Sequence, residues 1–313
     1  MSFVPVTAVR SSRESAGKPD GEGRGRRLPP WFRVRIEAGP HYRRIQSLVR
    51  EQRLHTICEE ARCPNKWECW NDRTATFLIL GDVCTRRCHY CSVHTGRPGQ
   101  VDWQEPERVA EAVRSLDLRH VVITSVNRDE LDDGGAALFA ETIRAIRRLV
   151  PLCTVETLVP DFQGQRAAVE TVLAAHPDMF NHNIEVVPRL FPVVRPQGNY
   201  ARSLRVLSWA WEGGRHTKSG LMVGLGETLE ELVAVLRDLR AVGCEVVSIG
   251  QYLRPTIAHH AVDRYYTLEE FDALRRRGLA LGFRHVESGP LVRSSYHADR
   301  HMDHAVRDDE TVI

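Results

Sequence analysis

The stretch Cys84-Thr85-Arg86-Arg87-Cys88-His89-Tyr90-Cys91 sets three cysteines at C-x3-C-x2-C, just behind the apolar run Phe77-Leu78-Ile79-Leu80 and its closing Gly81-Asp82. The run reads as a buried strand. The cysteines therefore ride on the loop leaving its C-terminal end. Outward from this loop the chain alternates. Further strands are expected at 121–124, 154–158, 179–184, 219–224 and 246–250, and helices at 106–116, 136–149, 165–175, 200–211, 228–241 and 268–280. Thr228-x-x-Glu231 and Thr267-x-x-Glu270 are capping boxes for the last two helices, and Gly243 stands where a helix stops. Six β-then-α units with short links demand a parallel sheet with right-handed crossovers. An open doubly wound sheet or a barrel meets that demand. Polar residues gather near the strand ends: Asp82, then Asn127-Arg128-Asp129, Glu156, Asn181-His182-Asn183 with Glu185, and Gln251. Barrel enzymes carry their sites on that face. The expected fold is therefore α/β, a partial (β/α)6 TIM-type barrel, with the doubly wound sheet as the alternative.

A second triplet, Cys58, Cys63 and Cys69, lies upstream at C-x4-C-x5-C, so six of the eight cysteines fall between positions 58 and 91. Thiolates hold soft metals and iron–sulfur clusters. Three cysteines satisfy three irons of a [4Fe–4S] cube and leave the fourth open to a substrate, much as catalytic zinc keeps an open position. Structural zinc is the competing reading. It takes four ligands and favours C-x2-C pairs; only Cys88 and Cys91 form one, and His89 or His94 would have to complete the set. Cys153 and Cys244 lie in or beside apolar strands and read as buried free thiols. Residues 56–70 show no clear period and carry a Pro64-Asn65 turn, so a loop wrapped around a metal centre is expected there. Before it, 42–54 shows a helical apolar stripe and 29–35 reads as extended.

The 313 residues suffice for one large domain or two small ones with most apolar surface buried. A formal net charge of +2 with 27% charged residues argues against a nucleic-acid binder. No run of 18 apolar residues appears, so no membrane span is expected. Residues 9–30, rich in Arg, Gly, Pro and Ser, read as a disordered tail; Glu14, Asp20 and Glu22 count against a transit peptide. Nothing suggests secretion. Tight cysteine triplets in a cytoplasmic chain read as metal sites rather than disulfides.

Cys84-x3-Cys88-x-Tyr90-Cys91 resembles the signature of the radical S-adenosylmethionine (SAM) superfamily. In that superfamily SAM chelates the open iron, and one electron from the cluster yields a 5′-deoxyadenosyl radical that removes unactivated hydrogens. The second triplet, with Glu59-Glu60-Ala61-Arg62-Cys63-Pro64-Asn65, is similar to that of the lipoyl synthases. Asn181-His182-Asn183-Ile184-Glu185, the run 217–228, and the C-terminal Arg293-Ser294-Ser295-Tyr296 carry the same resemblance, which spans about residues 30 to 298.

The resemblance implies an enzyme, a sulfurtransferase that inserts two sulfurs at C6 and C8 of an octanoyl chain amide-linked to a lysine of a lipoyl carrier domain. It implies two [4Fe–4S] clusters and SAM as co-substrate. Cys84, Cys88 and Cys91 hold the SAM-binding cluster. Cys58, Cys63 and Cys69 hold an auxiliary cluster that donates sulfur, with Ser295 as its fourth ligand. Tyr90, Asn127, Glu156, Asn183 and Arg195 are the candidate SAM contacts, Arg195 for the carboxylate. Asp132-Asp133-Gly134-Gly135 is a loose match to the superfamily's glycine element for the methionine amino group. The implied partners are octanoylated carrier domains of 2-oxoacid dehydrogenase E2 subunits and the glycine cleavage H protein, an electron donor such as ferredoxin or flavodoxin, and an iron–sulfur carrier. No nucleic acid or membrane partner is expected, and the compartment is cytoplasmic. The implied division is a disordered tail (1–30), an N-terminal extension with the auxiliary motif (31–75), the partial barrel (76–283) and a C-terminal extension (284–313). Lys66, Val186 and Ala261 depart from the family's usual residues; Lys66 is expected to face solvent. His297, His301 and His304 read as part of a solvated tail.

Overall fold

The computed structural model describes residues 3–5, 28–35, 38–61 and 63–299. Seven parallel strands form its centre: β1 (Thr74–Ile79), β2 (His120–Ser125), β3 (Thr154–Leu158), β4 (Met179–Asn181), β5 (His216–Val223), β6 (Val246–Gln251) and β7 (His285–Gly289). They are hydrogen-bonded in chain order, and a two-residue antiparallel strand, His55–Thr56, extends the sheet beyond β1. A doubly wound sheet reverses its strand order at a switch point. This order runs in one direction, as in a barrel, and the sheet keeps two edges, so the barrel is partial. Between the strands lie α1 (Glu105–Ser115), α2 (Ala136–Leu149), α3 (Arg166–Leu173), α4 (Tyr200–Glu212), α5 (Leu229–Ala241) and α6 (Leu268–Ala280).

The periodic stretches fold where the pattern places them. On α2, Leu138, Phe139, Ile143 and Ile146 are buried, at the spacing of one helical face. On α5, Leu232, Val235, Leu236 and Leu239 are buried and pack in one core with Val247 and Ile249 of β6. Each such side chain contributes about 1.5–3 kcal/mol of burial. Both capping boxes form, and Gly243 follows α5 at φ +84°. Cys153 and Cys244 are buried among apolar residues.

Four expectations are corrected. β4 ends at Asn181 rather than at 184. Beyond it the His182 N–H still donates to the Lys218 carbonyl at 3.0 Å, but the Ile184 N–H goes to Ser219 Oγ at 3.1 Å rather than to a strand carbonyl. The chain rejoins the ladder at Glu185, which bridges to Leu221 with φ +72°. β7 lies beyond the sixth unit and adds a parallel strand after position 283. Residues 56–70 hold two short helices, Ile57–Glu60 and Lys66–Asn71. The second packs through Trp67 and Trp70 on Tyr42 of the helix Pro40–Glu51, with ring centroids 4.5 and 5.0 Å apart. Residues 29–35, expected to be extended, begin with a 3-10 turn at Pro30–Phe32.

Within the expected tail, Phe3–Pro5 pairs antiparallel with Arg33–Arg35. The rest of that tail up to 27, and His301 and His304, lie outside the described residues. Among the described residues no helix is long and apolar enough to cross a membrane.

Candidate active site

The cysteine loop is fixed from the strand outward. β1 closes on Leu80 at φ +67° and Gly81 at φ +85°, a sharp left-handed turn that glycine takes without strain. The Leu80 N–H donates to Glu105 at 2.8 Å, and its carbonyl accepts from Arg128 at 3.0 Å. Cys84 then meets the end of β2. The backbone N–H groups of Arg86 and Asn127 point at its Sγ at 3.4 and 3.3 Å, and hydrogen bonds of this kind to cluster sulfurs tune potential. Arg86 sits between Cys84 and Cys88 and is buried. Its guanidinium binds Asp129 through two nitrogens at 2.6 and 2.8 Å and the fully buried Asp161 at 2.6 Å. One side chain thus ties the loop to residues following β2 and β3. Asp161 is a buried carboxyl whose pKa lies well below the usual range: burial alone raises it, and Arg86 more than offsets that. Further along, the His89 N–H donates to the Val194 carbonyl at 2.9 Å, and His259 Nε2 lies 3.0 Å from the Cys91 carbonyl.

The loop faces a cavity of about 1930 Å3 at the C-terminal end of the sheet, whose wall includes Cys84, Cys88, Cys91 and Tyr90. Asn127, Asn183, Glu185 and Arg195 also line it. Asn127 Oδ1 and Asn183 Oδ1 are buried without a hydrogen-bond partner, which marks them for a donor from a guest. Gly220 lies against Asn183, where a Cβ would come within 2.5 Å of Oδ1. The Arg195 guanidinium donates to the Asn183 carbonyl at 3.0 Å. Burial pushes the Glu185 carboxyl up, and Arg195, Asn183 and Tyr90 pull it back. The wall therefore offers acceptors for an ammonium and a guanidinium for a carboxylate. These are the groups an amino-acid moiety requires.

Glu156 is placed elsewhere. It is fully buried and held by Lys218 and Asn181, and it is absent from the cavity wall. Residues 132–135 are also away from the wall: Asp133 accepts from the N–H groups of Gly135 and Ala137 and caps α2. Arg86, Glu185 and Arg293 also line the cavity, while Arg128 braces the loop from behind through the Leu80 and Gly99 carbonyls. The only sequence signal for Arg86 was an arginine between two candidate ligands.

The upstream triplet meets the same cavity. Cys63 lines it, and Cys58, Cys63, Cys69 and Ser295 surround an adjoining void of about 10 Å3. The donor set, three thiols and a hydroxyl, suits an iron–sulfur cube, although the side chains must move apart to admit one. Burial pushes the Cys58 and Cys91 thiols up to about 12 and raises Cys63, Cys69 and Cys88 as well. Iron must therefore displace their protons as it binds. Among the described residues no three His, Cys, Asp or Glu side chains converge on one point as ligands of a single ion do; a cube takes each thiolate at a separate corner. The two motifs also touch directly, since Ser92 Oγ donates to the Glu60 carbonyl at 3.0 Å. Lys66 departs from expectation. Its ammonium does not simply face solvent but lies 5.9, 5.3 and 5.9 Å from the rings of Tyr42, Trp67 and Trp70, in the wall of both spaces.

Comparison with known proteins agrees with this geometry. Residues 78–239 match the radical SAM superfamily, and residues 8–63 match the N-terminal domain of lipoyl synthase of that family. The chain is 58% identical over 306 residues to the lipoyl synthase of Rubrobacter xylanophilus, covering 97% of this chain and 95% of that one. It is 55% identical to the lipoyl synthase of Symbiobacterium thermophilum, over 90% of this chain and 88% of that one. Among solved structures, methylornithine synthase aligns with TM-score 0.54 at 14% identity, covering 76% of this chain and 85% of that one, a likeness of fold alone. With one cysteine triplet on the cavity wall and the other reaching it through Cys63, a partial barrel around them, and relatives that span nearly its whole length, the chain belongs to the lipoyl synthase family of radical SAM enzymes.

Proposed function

We propose that Cys84, Cys88 and Cys91 hold the SAM-binding [4Fe–4S] cluster, and that Cys58, Cys63, Cys69 and Ser295 hold the auxiliary one. They do so in an enzyme that adds sulfur at C6 and C8 of an octanoyl-lysine on a carrier domain. The observation that carries this reading is the shared cavity: one triplet lines it, and the other reaches it through Cys63. When bound, the clusters and SAM supply the electron, the hydrogen-abstracting radical and the sulfur.

The chain's own residues bind, orient and shield. Arg195 pairs with the SAM carboxylate, and Asn127, Asn183 and Glu185 accept from its ammonium. Tyr90, beside the cysteines in the wall, packs against the rest of the molecule. Leu78, Val126, Leu221, Met222 and Val262 line the same space and keep water from it. Glu156 has no part in this, because its carboxylate is committed to Lys218.

The substrate is an octanoylated carrier domain, of the kind borne by E2 subunits of 2-oxoacid dehydrogenases and the glycine cleavage H protein. Ferredoxin or flavodoxin supplies electrons, and an iron–sulfur carrier rebuilds the auxiliary cluster. Eight free thiols suit a reducing cytoplasm. The test is iron and sulfide content together with 5′-deoxyadenosine formation after anaerobic reconstitution. Replacing Cys58, Cys63 and Cys69 by alanine should halve the iron and leave 5′-deoxyadenosine formation intact. Replacing Cys84, Cys88 and Cys91 should halve the iron and abolish it. Full iron content in either variant contradicts the assignment.

A further inference from the structure

The segment after β7 is tied to the auxiliary motif at both of its ends. At one end the buried Asn65 donates from Nδ2 to the Leu291 carbonyl at 2.6 Å. At the other, Tyr296 Oη donates to Glu68, 3.1 Å from each carboxylate oxygen. His297 Nε2 lies 3.0 Å from Glu68 Oε1, and its ring stacks on Tyr296 with centroids 3.7 Å apart.

The residues between the two ties are those that face the site. Ser294 lines the large cavity, Ser295 the small void, and Arg293 both. The anchors sit beside the donors in sequence: Glu68 precedes Cys69, and Tyr296 follows Ser295. A bond between Glu68 and Tyr296 therefore sets the distance between Cys69 and Ser295 through one residue on each side.

A serine oxygen is a poor partner for iron beside thiolate. It stays at the metal only if the backbone holds it there beforehand, since an untethered segment loses conformational freedom each time it binds. Glu68 is half exposed, with 50% of its side chain open to solvent. Hydrogen bonds at such a site are individually weak and open readily. The arrangement has the properties of a latch: it is formed in the resting fold and can be released without unfolding anything else.

We propose that the Glu68–Tyr296–His297 clasp, with the Asn65–Leu291 tie behind it, is a positioning device. It holds the Ser295 hydroxyl against Cys58, Cys63 and Cys69, and its opening sets how readily the auxiliary site gives up iron. The proposal rests on the reading of Ser295 as the fourth donor.

The experiment measures iron release to a chelator from the full chain, reconstituted with iron and sulfide. Cys84, Cys88 and Cys91 are replaced by alanine so that only the auxiliary site is loaded. Tyr296→Phe keeps the ring stack and removes the one hydroxyl proton shared between the Glu68 oxygens; release should quicken about five-fold, the effect of one hydrogen bond of ordinary strength. Glu68→Gln, which still accepts from Tyr296, should quicken it less than Glu68→Ala. Ser295→Ala should quicken release, and adding Tyr296→Phe to it should change nothing further. Hydrogen exchange of residues 291–297 in the metal-free chain should rise in Tyr296→Phe while the barrel strands keep their protection. If Ser295→Ala leaves release unchanged, the ligand reading falls and the proposal with it. If Ser295→Ala quickens release but Tyr296→Phe does not, or the two effects add in full, the clasp is wrong and the ligand reading stands.

Discussion

Lys218 Nζ lies 2.9 Å from Glu156 Oε2 with both side chains wholly removed from solvent, an ion pair enclosed within the barrel. Asn181 Nδ2 adds a bond to the same carboxylate at 2.7 Å. Burial pushes the Lys218 ammonium below its ordinary pKa, and Glu156 opposes that by favouring the charged form. Removing one partner leaves the other charged and alone. Lys218→Met should cost about 3–5 kcal/mol of stability, and Lys218→Met combined with Glu156→Gln should recover much of it. Urea unfolding of the two variants checks this; a double variant as weak as the single one contradicts it.

Arg86 bridges two carboxylates with one planar fork. Arg86→Gln leaves the buried Asp161 with only Arg202 at 3.3 Å as a charged partner and should lose about 3 kcal/mol. Arg86→Lys should rescue it poorly, because a point charge cannot serve both Asp129 and Asp161 in that geometry. Thermal unfolding of both variants decides, and full rescue by lysine contradicts the bridging role.

Acid should weaken the fold well above the carboxylate range. Burial is the main cause that holds His120 down at about 3 and His182 at about 4. Both rings are neutral in the fold, whereas in the unfolded chain they protonate near 6.5. The unfolded state therefore binds more protons as pH falls below 6.5, and stability is lost from there down towards the folded values. At pH 5 each histidine accounts for at most about 2 kcal/mol. His120→Gln should flatten the decline between pH 6.5 and 5; an unchanged slope in urea unfolding contradicts this.

Lys66 brings a positive charge to the wall of the auxiliary site. Burial raises the Cys63 thiol, and Arg293 and Lys66 both pull it down. A nearby cation favours an added electron, so Lys66→Met should make the auxiliary cluster harder to reduce, and Lys66→Arg should keep it near the parent. A redox titration of the reconstituted protein reads this, and equal potentials in all three forms contradict it.

Much of the fold was legible because its signals are local. The stripe of α2 and the residues of β3 lie where periodicity places them, and the threonine–glutamate boxes mark α5 and α6 to the residue. The helices Ile57–Glu60 and Lys66–Asn71 were not legible, being too short to show a period.

Within the site the cysteines announced themselves by spacing. Glu156 did not declare its depth: it shares a strand face with Leu158, which lines the cavity, but sits one pleat further in, where Lys218 and Asn181 hold it. Its partner Lys218 stands 62 positions away on a strand that is not its neighbour. Lys66 looked like a solvent residue because nothing local shows that Tyr42 packs beside it. The ties from 65 and 68 to 291, 296 and 297 are likewise visible only once the chain is folded.

The most direct measurement is anaerobic turnover of an octanoyl-lysine peptide by the protein reconstituted with iron and sulfide, with SAM and a reductant, read by mass spectrometry. The expected product gains two sulfurs, with no net change in hydrogen as the dithiol or two hydrogens fewer once oxidised to the cyclic disulfide, and Cys58→Ala yields 5′-deoxyadenosine without that product. An unchanged peptide from protein shown to hold both clusters, or full product from Cys58→Ala, contradicts sulfur donation from the auxiliary site.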